Sequence, residues 1–181
     1  MTGRQHLTFG LVTGAAFTAY LYSIGAVQTR EAMFFVVGGS VLGSLLPDID
    51  SREATISKML PPVTTLLSKL INNLFGHRGL IHYPIFWMIL LGFTLPQNFN
   101  LIGLYFGIFG HLLLDACTYK GIPGLTWAFN KKSTFRIFPK KWKMYVGTIR
   151  ASVANFLMTV GTTTLLLYLA SSCLLYTSPS P

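Results

Sequence analysis

Residues 101–118 read LIGLYFGIFGHLLLDACT. The first ten positions are uncharged, and then His111 and Asp115 appear four residues apart near the end of the run. On a helix, positions four apart share a face. Ionisable groups beside lipid are costly and mark functional sites by default. The pair reads as a two-ligand metal clamp, and equally as a His–Asp hydrogen bond pinning two helices together. The rest of the chain has to decide.

The apolar run has company. Comparable runs span 7–27, 32–46, 80–95 and 151–172. Across 181 residues the chain is 51% hydrophobic and 10% charged, whereas a soluble domain is roughly a quarter charged. With a mean hydropathy of +0.54, the expected fold is all-α: a polytopic membrane helix bundle of about five spans. The first run is uncharged for 21 residues, about 31 Å as helix, which exceeds the roughly 7–15 apolar residues of a secretion signal. It reads as a retained span. The second and third runs are short against the ~20 residues a bilayer needs, so their polar ends are expected among neighbouring helices. Pro96–Asn100 reads as a compact hairpin turn.

Basic residues fix an orientation. With the chain before the first run placed on one side and the sides alternated, thirteen of the fourteen Lys and Arg fall on that side, and only Arg30 opposes them. Positive charge is retained on the cytoplasmic face, so the N-terminus is expected in the cytoplasm. The same alternation gathers His6, Asp48 and Asp50, His77 and His82, and His111 with Asp115 at that one face. These clusters hold all four histidines and three of the five acidic residues; Glu31 and Glu53 lie elsewhere.

Two segments read as interfacial. After Pro61-Pro62, the residues Val63, Leu66, Leu67, Leu70, Ile71 and Leu74 follow helical spacing, with Thr64, Thr65, Ser68, Lys69 and Asn72 opposite. This predicts an amphipathic helix along the cytoplasmic leaflet, between the second and third spans. The stretch 133–146 interleaves Phe135, Phe138, Trp142 and Tyr145 with Arg136, Lys140, Lys141 and Lys143. Beside a membrane span that pattern suits anionic lipid headgroups, and no nucleic-acid partner is expected. With the spans alternating, Cys117 and Cys173 are expected at opposite membrane ends, too far apart for a disulfide. Residues 1–172 are read as a single membrane-embedded domain. The 173–181 tail, ending Tyr-Thr-Ser-Pro-Ser-Pro, reads as a non-native appendage.

Each cluster alone has an ordinary reading. Asp48 and Asp50 follow Pro47 and in extended chain would point the same way, yet they also suit a solvated loop. Gly79 allows a turn bringing His77 and His82 inward, and Arg78 offers a guanidinium for a phosphate or carboxylate. It serves equally as positive-inside charge, and His6 as a lone interface histidine. Together, seven imidazole and carboxylate groups at one face exceed the three ligands of a typical catalytic zinc. One or two divalent ions, zinc or manganese first, are expected on His6, Asp48, Asp50, His77, His82, His111 and Asp115.

The runs Leu45–Asp50 (LLPDID), Gly76–His82 (GHRGLIH) and Gly110–Asp115 (GHLLLD), with the early His6, resemble in order and spacing the bacterial inner-membrane, YdjM-like, LexA-regulated metal-dependent hydrolases. Thr118, Gly121 and Trp127 continue the likeness, which covers roughly residues 1–130. Tyr83-Pro84 depart from it, standing where a serine commonly follows the second histidine. The resemblance implies a multi-span hydrolase whose site includes the seven ligands and Arg78. With the residue reading, it leads to a cytoplasm-facing enzyme acting on a phosphoester of an amphiphile. Asp50 is then ligand or base, and Arg78 neutralises developing charge. The competing expectations are a metal or proton transporter and a non-catalytic adaptor with a structural metal.

Overall fold

The computed structural model describes residues 2–51, 54, 56–57, 61–75, 79–95, 98–124, 130, 133–139, 145 and 147–177. It is an all-helical architecture with one minimal strand pair. In chain order the helices are α1 (Gly3–Ser23), α2 (Arg30–Gly43), α3 (Pro61–Phe75), α4 (Pro84–Thr94), α5 (Ile102–Ala116) and α6 (Ile149–Thr177). Short 3-10 turns cover Leu46–Asp50, Leu80–His82 and Phe99–Leu101. Strands β1 (Ile122–Pro123) and β2 (Thr134–Phe135) pair antiparallel.

Local chemistry sets the ends. Thr2 and Gln5 form a capping box, satisfying backbone donors that a first turn leaves open. α1 therefore begins four residues before the apolar run and carries His6 on its opening turn. Gly25, at φ 75°, turns the chain after α1. Thr29 caps α2 through the Ala32 amide. Beyond Ser44 the chain tightens into the Leu46–Asp50 turn, with Pro47 near its start, where a missing N–H costs nothing. Pro84 likewise opens α4.

Small residues bring α1, α2 and α5 unusually close. A Cβ built on Gly10 would sit 2.5 Å from the Ser44 hydroxyl, and one on Gly14 2.6 Å from Ser40 Cβ. A Cβ on Gly107 would sit 2.7 Å from the Ser44 amide nitrogen, and one on Gly39 2.8 Å from that of Leu104. The Ser40 hydroxyl donates across to the Gly10 carbonyl at 2.9 Å. Without a hydrophobic drive between helices in lipid, such close approach and interhelical hydrogen bonding hold a bundle together. α6 packs on α1, where Gln5 Nε2 donates to Ser152 and Asn155 Nδ2 donates to the Gln5 carbonyl.

Polarity runs opposite to that of a soluble domain. Thr13, Ser40, Ser44, Asn155 and Thr159 are buried, while Phe34, Phe93, Phe156 and Tyr168 are each more than three-fifths exposed. Each such ring is worth about 1.5–3 kcal/mol when removed from water, and so extensive an apolar surface marks a membrane protein. By length and composition, Ile149–Ser171 within α6 is long and apolar enough to cross a bilayer (23 residues, mean hydropathy 1.5). α4 and α5 are shorter apolar helices. The third apolar run is part 3-10 turn and part α4, an 11-residue helix of about 16 Å.

Candidate metal centre

Four chain ends meet at one end of the bundle: the start of α1, the turn after α2, the turn before α4 and the last two turns of α5. His6, His82, His111, Asp50 and Asp115 are all buried there, and Asp48 is one-fifth exposed. His111 and Asp115 share the inner face of α5 as their spacing requires, with His111 Nε2 3.9 Å from Asp115 Oδ2.

The donor atoms form a closed ring. Asp48 Oδ1 lies 3.7 Å from both His82 Nε2 and His111 Nε2. Asp115 Oδ2 lies 3.8 Å from His82 Nε2, and the other oxygen, Oδ1, is 3.4 Å from His6 Nε2. Tetrahedral ligands at ~2.0–2.1 Å from zinc stand about 3.4 Å apart. The ring around Asp48, His82, His111 and Asp115 is thus a few tenths of an ångström wider than an ion would draw it. Two three-residue groups qualify as metal holders, His6/His111/Asp115 and Asp48/His82/His111, and His111 belongs to both.

The tautomer of His111 is fixed from behind. Its Nδ1 stands 2.7 Å from the Ser44 carbonyl, which can only accept, so Nδ1 carries the proton and Nε2 turns a lone pair to the ring. The His6 and His111 imidazoles stack 3.8 Å apart, and His82 meets His111 edge-on. Both His6 nitrogens and His111 Nε2 are buried without a hydrogen-bond partner among the described residues. Buried polar atoms are normally satisfied, so this donor set fits a divalent cation.

Asp48 is the donor most open to solvent. Burial raises its affinity for a proton, but the neighbouring imidazoles of His82, His111 and His6 outweigh that and hold it below the usual carboxylate range. Asp50 departs from the expected arrangement. In a 3-10 turn of three residues per turn, positions two apart diverge instead of pointing together, and Asp50 belongs to neither group. His77 and Arg78 lie outside the described residues.

Sequence reasoning missed Ser44, which acts through a backbone carbonyl, and the packing that places it. That packing did leave a trace: Gly103, Gly107, His111 and Asp115 recur every four residues, as do His6, Gly10 and Gly14. Small residues face a neighbouring helix and ligands follow on nearly the same face. Thr118 is buried beside them, its hydroxyl donating to the Asp115 carbonyl at 2.7 Å.

The family model of the YdjM inner membrane proteins matches residues 1–179. The chain belongs to that family. The uncharacterized protein YvsG of Bacillus subtilis (strain 168) is 32% identical over 125 residues, covering 67% of this chain and 71% of the relative. No solved structure matches. Membership of the YdjM family agrees with the exposed apolar surface. It also places the buried His/Asp groups, which could hold a metal ion, within an inner membrane protein.

Proposed function

We propose that this YdjM-family protein is a membrane-bound, metal-dependent hydrolase whose site opens to the cytoplasm and cleaves a phosphoester of a lipid or other amphiphile. The ring of two carboxylates and two imidazole Nε2 atoms at one end of the bundle carries the reading. Asp48, His82, His111 and Asp115 hold the ion, and His6 either joins them or fixes Asp115 through Oδ1. Zinc or manganese suits imidazole–carboxylate donors. Bound there, the ion supplies Lewis acidity and brings the pKa of a coordinated water toward ~7.

The chain's own residues do the rest. Asp48, the least buried of the ring, is the donor most open to solvent. Asp50 serves as ligand or general base, and Arg78 balances charge on an anionic substrate. About five spans with a cytoplasmic N-terminus account for thirteen of fourteen basic residues on one side. Transport is less favoured. Away from the site, the buried hydroxyls of Thr13, Thr18 and Thr159 among the described residues donate to carbonyls of their own helices, which favours structural over relay roles for them.

Purified wild type is expected to contain stoichiometric zinc or manganese by mass spectrometry and to release phosphate or headgroup from phospholipids or diphosphate lipids. Asp115→Ala is expected to lose metal and turnover while inserting normally. Wild-type metal content in that variant overturns the assignment.

A further inference from the structure

α3 is polarised the wrong way round for a helix lying on a soluble protein. Thr64 and Ser68 are 5% and 1% exposed, while Leu66 and Leu70 are 72% and 56% exposed. Leu67 extends the outward apolar face, and Lys69 and Asn73 are exposed along one flank of it. The arc therefore has three edges: hydroxyls toward the protein, leucines outward, and a cation with an amide between them. A polar edge beside an outward leucine face matches the boundary between acyl chains and headgroups, and Lys69 matches the charge of an anionic leaflet.

The buried edge of α3 leads to the metal centre. Thr64 donates to the Ser57 carbonyl at 2.7 Å, and the Ser57 hydroxyl donates to the Ser51 carbonyl at 2.6 Å. Ser51 follows Asp50 directly and closes the 3-10 turn, its amide donating to the Asp48 carbonyl at 2.9 Å. α3 also packs directly on that turn. Two hydroxyls thus tie a lipid-facing helix to the backbone that carries Asp48.

We infer that α3 is docked in the anionic cytoplasmic leaflet and that this docking holds the Asp48 turn in place. The site then works on molecules arriving from that leaflet in preference to phosphoesters free in water. This deepens the hydrolase reading and rests on it for the substrate. The docking itself stands on the polarity of α3.

Two measurements on the full chain in phosphatidylethanolamine/phosphatidylglycerol vesicles separate the claims. Spin labels are placed singly at positions 66, 70 and 69 in a Cys117→Ala, Cys173→Ser background. Labels at 66 and 70 are expected to collide severalfold more with oxygen than with a water-soluble nickel complex, and the label at 69 to show the reverse. Nickel access at 66 and 70, or shielding from both reagents as under a protein partner, overturns the docking whatever the enzyme does.

The second measurement compares turnover of a vesicle-embedded phosphatidylglycerol with that of soluble bis(p-nitrophenyl) phosphate. Leu66→Glu/Leu70→Glu is expected to lower turnover of the embedded lipid severalfold more than that of the soluble ester, whereas Thr64→Val, which frees the Asp48 turn, is expected to lower zinc affinity and turnover of both. Equal loss on both or none in the leucine variant overturns the lipid delivery, and wild-type zinc affinity in Thr64→Val overturns the tie to the Asp48 turn. Wild type inactive on both substrates refutes the hydrolase reading and the lipid-delivery claim with it, while the spin labels still decide the docking.

Discussion

Replacing Gly107 by alanine tests whether helix packing sets the metal ligands. The added Cβ would stand 2.7 Å from the Ser44 amide nitrogen, with the Ser40 carbonyl oxygen closer still. Non-bonded contacts are comfortable from about 3.5 Å, so α2 and α5 must part by at least about 0.8 Å at this crossing, and by more where the Ser40 oxygen is met. The obstruction is backbone, so no rotamer change relieves it. Ser44 also offers its carbonyl to His111 Nδ1 at 2.7 Å. If that displacement falls on the bond, it lengthens past about 3.5 Å, outside the range of an N–H···O hydrogen bond.

Overpacking costs about 1–3 kcal/mol, and a stranded buried donor about 1–3 kcal/mol more. Against this, alanine gains up to about 1 kcal/mol over glycine in helix propensity. Losing the partner that orients a ligating histidine lowers metal affinity about 10–100-fold. The assay is zinc competition titration of detergent-purified protein, with thermal unfolding in parallel. Gly38→Ala is the control, because nothing lies within 4 Å of its added Cβ, and it is expected to bind zinc as wild type does. A Gly107→Ala protein with wild-type zinc affinity and unchanged unfolding would refute the claim that this crossing sets His111.

Further outcomes are expected elsewhere. His82→Ala removes one corner of the ring and is expected to reduce zinc content at least as far as His6→Ala, measured by metal analysis; full occupancy in His82→Ala would contradict the ring. Chelator treatment of wild type is expected to lower the unfolding temperature, since an ion bound only to the folded protein stabilises it by mass action; an unchanged temperature contradicts the site. Asp48 is held below the unfolded carboxylate value of ~3.9, so its stabilising contribution is complete above that pH and fades as pH falls toward the folded value. In metal-free protein the stability gap between wild type and Asp48→Asn is therefore expected to be constant above about pH 5 and to narrow below about pH 4. Asn155→Leu removes a donor to the Gln5 carbonyl and is expected to cost about 1 kcal/mol while loosening α6 from α1, read by protease susceptibility.

Periodicity and charge carried much of this architecture. The i, i+4 spacing of His111 and Asp115 placed both on one helix face, and alternating the apolar runs gathered distant clusters at one end. Where the sequence misled, backbone geometry was responsible. Pro47 opens a 3-10 turn in place of the extended chain expected around Asp48 and Asp50. Thr2 starts α1 early enough to set His6 inside the helix, a shift that a capping residue announces and hydropathy does not. The Ser44 carbonyl is invisible to any reading of side chains, because every residue has one. The β1–β2 pair joins two-residue segments, too short for an alternating pattern.

The ring also imposes an order of events during synthesis. His6 leaves the ribosome on the first helical turn, whereas its partner Asp115 follows roughly a hundred residues later. No pair of neighbouring helices supplies both carboxylates and the imidazoles between them. An ion could be captured only after α5 has entered the bundle, so loading would wait until most of the membrane assembly is done, and a chain stalled before α5 would lack half of the donor ring.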